Sequence, residues 1–207
     1  MLIAEHFFLI ACDPRAGVPT WPRRTQGASE LASAALLLDL ATLHRLQIRD
    51  GLVHADARVP ITHPLLGEAL HAIANHPLLV SAAVETISRR LNPLVEKVLD
   101  GLFRRDLVHR NESRRWLLLR RVRYPLRSMQ ARNEAILSLR HAVHVEDDLH
   151  GLALLLLADL SGLLPELLDA REHELATRRL LALNDDTRNS TDETLAILAN
   201  VRAALLA

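Results

Sequence analysis

Residues Glu30 to Leu43 are apolar on nearly every side of a helical wheel (Leu31, Ala34, Ala35, Leu36, Leu37, Leu38, Leu40, Ala41), which predicts a helix buried all round and central to the fold. Leu149 to Leu160 repeats the pattern and predicts a second core helix. The apolar stretch Leu2 to Ala11 is too short for its period to decide between helix and strand; Asp13-Pro14-Arg15-Ala16-Gly17 then breaks it. Leu46-Gln47-Ile48-Arg49 and Leu52-Val53-His54-Ala55 flank Asp50-Gly51, the pair that a type I′ hairpin turn favours because both central residues need positive φ. Pro64 suits a first helical turn leading into Leu65 to Ala74. Further helices are expected over Leu78–Leu91, over Pro93–Arg105 with Asn92 as N-cap and Pro93 at N1, and over Ser128–His144. Pro165 opens another, and Ser190-Thr191-Asp192-Glu193 reads as a capping box for a last helix from Thr194 to Leu206. No repeat or low-complexity linker interrupts the series, so one mainly α domain over residues 1–207 is expected, with buried central helices and two short β-hairpins.

The second hairpin is placed at about residues 107–124. Leu107-Val108-His109 would lead in, Asn111-Glu112-Ser113 would turn, and the chain would return through Arg115 to Tyr124. At the strand period one face of that return carries Trp116, Leu118, Arg120, Val122 and Tyr124, and the other Arg115, Leu117, Leu119, Arg121 and Arg123. An ordinary hairpin would turn its leucines inward and leave its arginines solvated. Apolar groups on both faces speak against that, because one core covers one face.

Charge sharpens the picture. From Arg104 to Arg127 there are nine arginines and two acids, about +7, in a chain whose 25 basic and 25 acidic residues sum to zero. Arg114, Arg115, Arg120 and Arg121 bracket the run Trp116-Leu117-Leu118-Leu119, a combination suited to an anionic surface with an apolar layer beneath it. Lys97 is the only lysine, a bias expected of a GC-rich, bacterial genome. Cys12 is the only cysteine, which excludes an internal disulfide and any cysteine-cluster metal site. The longest apolar run, Leu152–Ala158, is far short of the ~20 residues a membrane span needs, so any membrane contact would be peripheral, at a cytoplasmic face. His141, His144, Glu146, Asp147, Asp148 and His150 form the one ligand-rich cluster, read as a polar helix end with a cap, and Asp185-Asp186 as a loop or cap. No nucleophile elbow, P-loop or dinucleotide fingerprint is present, so no catalytic site, metal site or cofactor is expected.

Four stretches resemble the Golgi phosphoprotein 3 (GPP34) family: Leu38 to Ile48, Pro60 to Leu70, Val95 to Val108, and Arg123-Tyr124-Pro125-Leu126. Their order and spacing cover nearly the whole chain. The resemblance implies a mainly helical domain that binds phosphatidylinositol 4-phosphate, with a hairpin that enters the bilayer or mediates self-association. It further implies the cytoplasmic tails of membrane proteins as partners. In the family the headgroup site combines a loop tryptophan, matched by Trp21, with three arginines whose positions here hold Ser33, Asn92 and Val95. Arg24, Arg89, Arg90 and Lys97 stand near enough in sequence to substitute, and an arginine fork grips phosphate oxygens in pairs. Read without the resemblance, Trp21 is either a core anchor or part of a ligand site. The family's Thr-Gly-Asp is altered to Ile61-Thr62-His63.

The expected function is therefore peripheral binding of anionic phospholipid, with Arg114 to Arg121 as the membrane or oligomer hairpin. Two alternatives compete. A helix followed by a basic hairpin imitates a winged-helix nucleic-acid binder, although zero net charge and an exposed Trp-Leu-Leu-Leu run disfavour nucleic acid. An oligomerisation module would bury the hairpin against a second copy.

Overall fold

A computed structural model describes residues 1–20, 27–115, 119–145, 147–189 and 193–206, with backbone alone at 113–115, 119–121 and 184–189. In chain order the helices and strands are α1 (Ile3–Ala11), α2 (Ala28–Thr42), β1 (Leu46–Arg49), β2 (Leu52–Ala55), α3 (Pro64–Ile73), α4 (Val80–Arg90) and α5 (Leu94–Arg104). There follow β3 (Asn111–Arg115), β4 (Leu119–Arg123), α6 (Met129–His144), α7 (Leu149–Ser161), α8 (Leu164–Leu167), α9 (Ala170–Asn189) and α10 (Glu193–Leu206). The expected mainly α class with two small antiparallel hairpins is what the chain adopts.

Helix α2 is the axis. Every residue from Leu31 to Ala41 is buried, and α1, α3, α4, α5, α7 and α10 all pack around it. Helix α7 is buried from Gly151 to Ala158 and ends on Gly162 in the left-handed conformation. Both helices lack a solvent face, as their unbroken apolar runs require. The buried apolar residues form one continuous cluster, so the described chain packs as a single compact domain. Asp50 and Gly51 have φ of 52° and 74°, the positive values the β1–β2 turn demands.

Helix α1 resolves the helix-or-strand question at the N-terminus, and two buried acids account for it. Asp39 of α2 accepts hydrogen bonds from Ile3 N (2.7 Å) and Ala4 N (3.2 Å), and Glu5 accepts from Leu2 N (3.0 Å). The unpaired amides of the first turn are thereby satisfied from inside the core. On the other side of α1, His6 Nδ1 lies 2.7 Å from His150 Nε2 of α7. Burial, with help from His150, the N-terminal amine and Arg105, lowers the His6 pKa to about 4, and burial lowers that of His150 against the pull of Asp148. A histidine pKa depressed in the folded state contributes stability that is whole above the unfolded value of 6.5 and is lost as pH falls towards the folded one. Replacing His6 with Phe should therefore spare the protein about 1.5 kcal/mol of the stability that wild type loses between pH 7 and pH 5, measured by urea unfolding.

Four local expectations are corrected. Asn111-Glu112-Ser113 is not a turn but the start of β3, and the ribbon covers 111–123 rather than 107–124. Leu107 and Val108 are held instead by the core and by a bridge to Leu126, which moves the pairing register outwards. Consequently Arg115 to Tyr124 is not one strand: β3 ends at Arg115 and β4 begins at Leu119. Pro93, not Asn92, is the N-cap of α5, because its ψ of 98° is extended and the helix begins at Leu94. Asp185 and Asp186 belong to the backbone of α9, which Ala176, Leu180 and Leu183 pin to the core. The proposed capping residues Ser190 to Asp192 lie outside the described residues.

Candidate functional site

The β3–β4 ribbon rises from α5, and its root is tied from three directions. Tyr124 Oη donates to Asp100 Oδ1 at 2.8 Å, and Arg110 Nε lies 3.3 Å from the same oxygen. Arg110 Nη2 also meets Glu112 at 3.0 Å, at the start of β3. Burial and the hydrogen bond to Asp100 push the Tyr124 hydroxyl up to about 12, against the pull of Arg110, so it stays a donor. On the far side, Tyr124 N donates to Gly17 O (2.7 Å) and Leu126 N to Pro14 O (2.8 Å), while Arg127 pairs with Asp106. The backbone leaving the ribbon is thus stapled to the Asp13–Gly17 turn.

Above that root the register puts Asn111 opposite Arg123, Ser113 opposite Arg121, Arg114 opposite Arg120 and Arg115 opposite Leu119. Like charges directly opposite on a ladder repel, and here no acid occupies any of the five positions facing an arginine. Three residues, Trp116-Leu117-Leu118, join the strands and lie outside the described residues.

A cleft of about 550 Å³ opens beside the root, between α1, the start of α3 and one face of α5. Lys97, Asp100, Gly101 and Arg104 follow one another at i, i+3, i+4 and i+7 and so share that face. Glu5, His63 and Glu68 line it from α1 and the start of α3, and Arg105, the C-cap of α5, closes the end of that face. Lys97 Nζ meets Glu68 at 2.6 Å and Arg105 Nε lies 3.4 Å from the buried Glu5. His63 Nδ1 is buried without a hydrogen-bond partner, and Arg104 has no hydrogen-bond or ion-pair partner among the described residues. Burial lowers the His63 pKa, as do Arg105, Arg104 and the N-terminal amine, with Glu5 opposing them, so the ring is neutral at pH 7.

Of the residues singled out for a headgroup, Lys97 lines this cleft. Arg89 and Arg90 are exposed at the C-terminal end of α4 and do not. Trp21 and Arg24 lie outside the described residues. Ser33 is fully buried and donates to Ser29 O (2.7 Å), whereas Asn92 is exposed and Val95 half-buried. Glu5, His63, Asp100, Gly101 and Tyr124 were not anticipated here. An acid interrupting the apolar α1 and a glycine inside the amphipathic α5 are the signals that could have pointed to two of them. In the histidine cluster, Asp148 caps α7 by accepting from Gly151 N at 2.8 Å, and no three potential metal ligands converge among the described residues.

The family model of Golgi phosphoprotein 3 (GPP34) matches residues 3–207. The chain belongs to the Golgi phosphoprotein 3 family. No curated protein matches it. For this GPP34 chain, family membership fits a membrane- or lipid-associated role in general terms. Among the described residues, no helix is long and apolar enough to cross a membrane.

Proposed function

We propose that this GPP34 chain is a peripheral membrane protein that binds anionic phospholipid headgroups, and that its role is binding rather than catalysis. The observation that carries the reading is the ribbon register, in which Arg114 faces Arg120 and Arg121 and Arg123 face neutral residues. A ribbon that places five arginines on ten strand positions and balances them with one acid, Glu112, is stabilised by anions from outside the chain. Lipid phosphates supply about 1 kcal/mol per basic residue near an anionic surface. The sequence between the strands, Trp116-Leu117-Leu118, carries the apolar groups that enter the layer beneath. Phosphatidylinositol 4-phosphate is the headgroup that the family resemblance suggests, with Trp21, Arg24, Arg89, Arg90 and Lys97 as the candidate contacts. Arg89 and Arg90 have no ion-pair partner among the described residues. The Lys97–Glu68 pair is half exposed and contributes less than about 1 kcal/mol, so it opens readily for a phosphate.

Co-sedimentation with neutral, generically anionic and phosphatidylinositol 4-phosphate vesicles tests the reading. Wild type is expected to bind anionic vesicles, more weakly as salt rises. Leu117→Ser/Leu118→Ser should cut that binding at least about tenfold, since each leucine removed from an apolar layer forfeits about 1.5 kcal/mol or more. Preference for the phosphoinositide over a generic anionic lipid would assign a headgroup pocket. Binding to no vesicle would overturn the membrane reading in favour of self-association through the ribbon.

A further inference from the structure

The β1–β2 hairpin carries a second cavity on its outer face, about 500 Å³ in volume, closed at its sides by His44 after the end of α2 and by Ala74 at the end of α3. Strand alternation buries Leu46 and Val53 in the core and leaves Gln47, Arg49 and His54 to line the cavity. Gln47 stands directly opposite His54, and the Arg49 guanidinium is drawn back along β1 to donate to Gln47 Oε1 at 2.5 Å. The guanidinium is thereby set beside the His54 imidazole. Asp56, the one acid on the wall among the described residues, is gripped at both oxygens by Arg58, at 2.9 and 2.8 Å. Arg49 has no acidic partner, and neither His44 nor His54 has a hydrogen-bond partner, among the described residues. One uncompensated guanidinium and two unengaged imidazoles therefore face the same space. His44 is held there against its own backbone preference. With φ +53° it follows the C-cap of α2; its N donates to Ala41 O at 2.8 Å and Arg45 N reaches Leu40 O at 2.9 Å. Glycine is favoured at that place in a helix end, because a Cβ is strained there. An exposed imidazole without a partner adds nothing to the fold at such a position, which points to a role outside it.

We propose that this cavity binds a phosphate monoester with a small carbon body. Arg49 takes two terminal oxygens in the paired geometry that guanidinium favours, and His54 and His44 donate to the phosphate from the neighbouring strand and from the end of α2. Donors arriving from three directions suit a tetrahedral group with three terminal oxygens, whereas a planar carboxylate engages only part of the set. Ala55, Ala57 and Ala74 line the remainder and accommodate a body on the scale of glycerol. Glycerol 3-phosphate and the headgroup of phosphatidic acid share this chemistry. From Ser33, which stands at one of the family's headgroup positions, α2 runs about 14 Å to its end before His44, so the two places are separate. The site does not depend on the vesicle-binding role of the ribbon.

Calorimetric titration of the full chain with glycerol 3-phosphate, beside lactate as a carboxylate of similar size, tests the proposal. Saturable binding of the phosphate monoester is expected, with lactate at least about tenfold weaker. Arg49→Gln alters an exposed side chain and should leave the melting curve unchanged while weakening glycerol 3-phosphate at least about tenfold. His44→Gly relieves the left-handed backbone, so it should raise the melting temperature by about 2–4 °C and yet weaken the ligand about fivefold. A histidine that served the fold alone would show no such loss of affinity. Phosphatidylcholine vesicles with and without phosphatidic acid then identify the source. Vesicle binding by the ribbon does not involve Arg49, so a share of phosphatidic acid binding that Arg49→Gln removes assigns the lipid, and vesicle binding that it leaves unchanged assigns the free ester. No saturable heat with glycerol 3-phosphate, lactate binding as tightly, or wild-type affinity in either variant would overturn the proposal. Failure of the ribbon to bind anionic vesicles would leave the titrations intact.

Discussion

Replacing Gly17 with Ala is expected to destabilise the protein by about 4 kcal/mol and to lower its melting temperature by roughly 10 °C. Gly17 has φ +63°, a left-handed conformation that costs a residue with a Cβ about 1–2 kcal/mol. The larger part is steric. A Cβ there would lie 2.2 Å from Pro125 N and 2.3 Å from the Tyr124 carbonyl carbon, and these are backbone atoms that no rotamer change can move. Either the Asp13–Gly17 turn or the Tyr124–Leu126 segment must give way, and with it the bonds from Tyr124 N to Gly17 O and from Leu126 N to Pro14 O. Gly51→Ala is the control. Its φ is +74°, but nothing lies within 4 Å of the added carbon, so only the conformational cost of about 1 kcal/mol applies. Thermal melts of the two variants separate the terms, and equal losses would show that the Gly17 contact carries no weight. Since this contact sets where the ribbon leaves the domain, Gly17→Ala should also reduce anionic-vesicle binding below the melting transition, whereas Gly51→Ala should not.

What could be read before folding was local. The buried faces of α2 and α7, the Asp50-Gly51 turn and the start of α3 at Pro64 each rest on a few adjacent residues whose own preferences agree with the fold. The misplaced turn at Asn111–Ser113 shows where local preference stops. Asn, Glu and Ser favour turns in isolation, but pairing with Arg121 to Arg123 extends them, because strand propensity yields to cross-strand context. The charge of the ribbon was legible as a run of arginines, whereas its register was not. The cleft was less legible still. Glu5, His63 and Arg104 come from three separate stretches of sequence, and none stands out until α1 is laid against α5. The partnership of His6 with His150 spans 144 positions and carries no local signal at all.

Asp39→Ala is the second large effect, expected to cost about 3 kcal/mol. The carboxylate is 5 % exposed and accepts the first-turn amides of Ile3 and Ala4, whose other route to a partner, water, is closed by the core. Each buried donor left unsatisfied costs about 1–3 kcal/mol, so Ala forfeits both contacts. Asp39→Asn keeps one acceptor oxygen and should cost about half as much or less. Burial raises the Asp39 pKa to about 7, overcoming the two amide hydrogen bonds that pull it down and aided by the neighbouring Glu5. An acid whose folded pKa lies above its unfolded value favours folding most when protonated, so its contribution is lost as pH rises from about 4 to 7. That slope opposes the one from His6, and wild-type unfolding alone would show only their difference. The gap between wild type and Asp39→Asn isolates the acid: wild type should hold its greatest advantage near pH 4 and surrender it progressively by pH 8. A gap that widened with pH would mean that the ionised carboxylate, gripped by the N-terminal amides of α1, is the state the fold prefers.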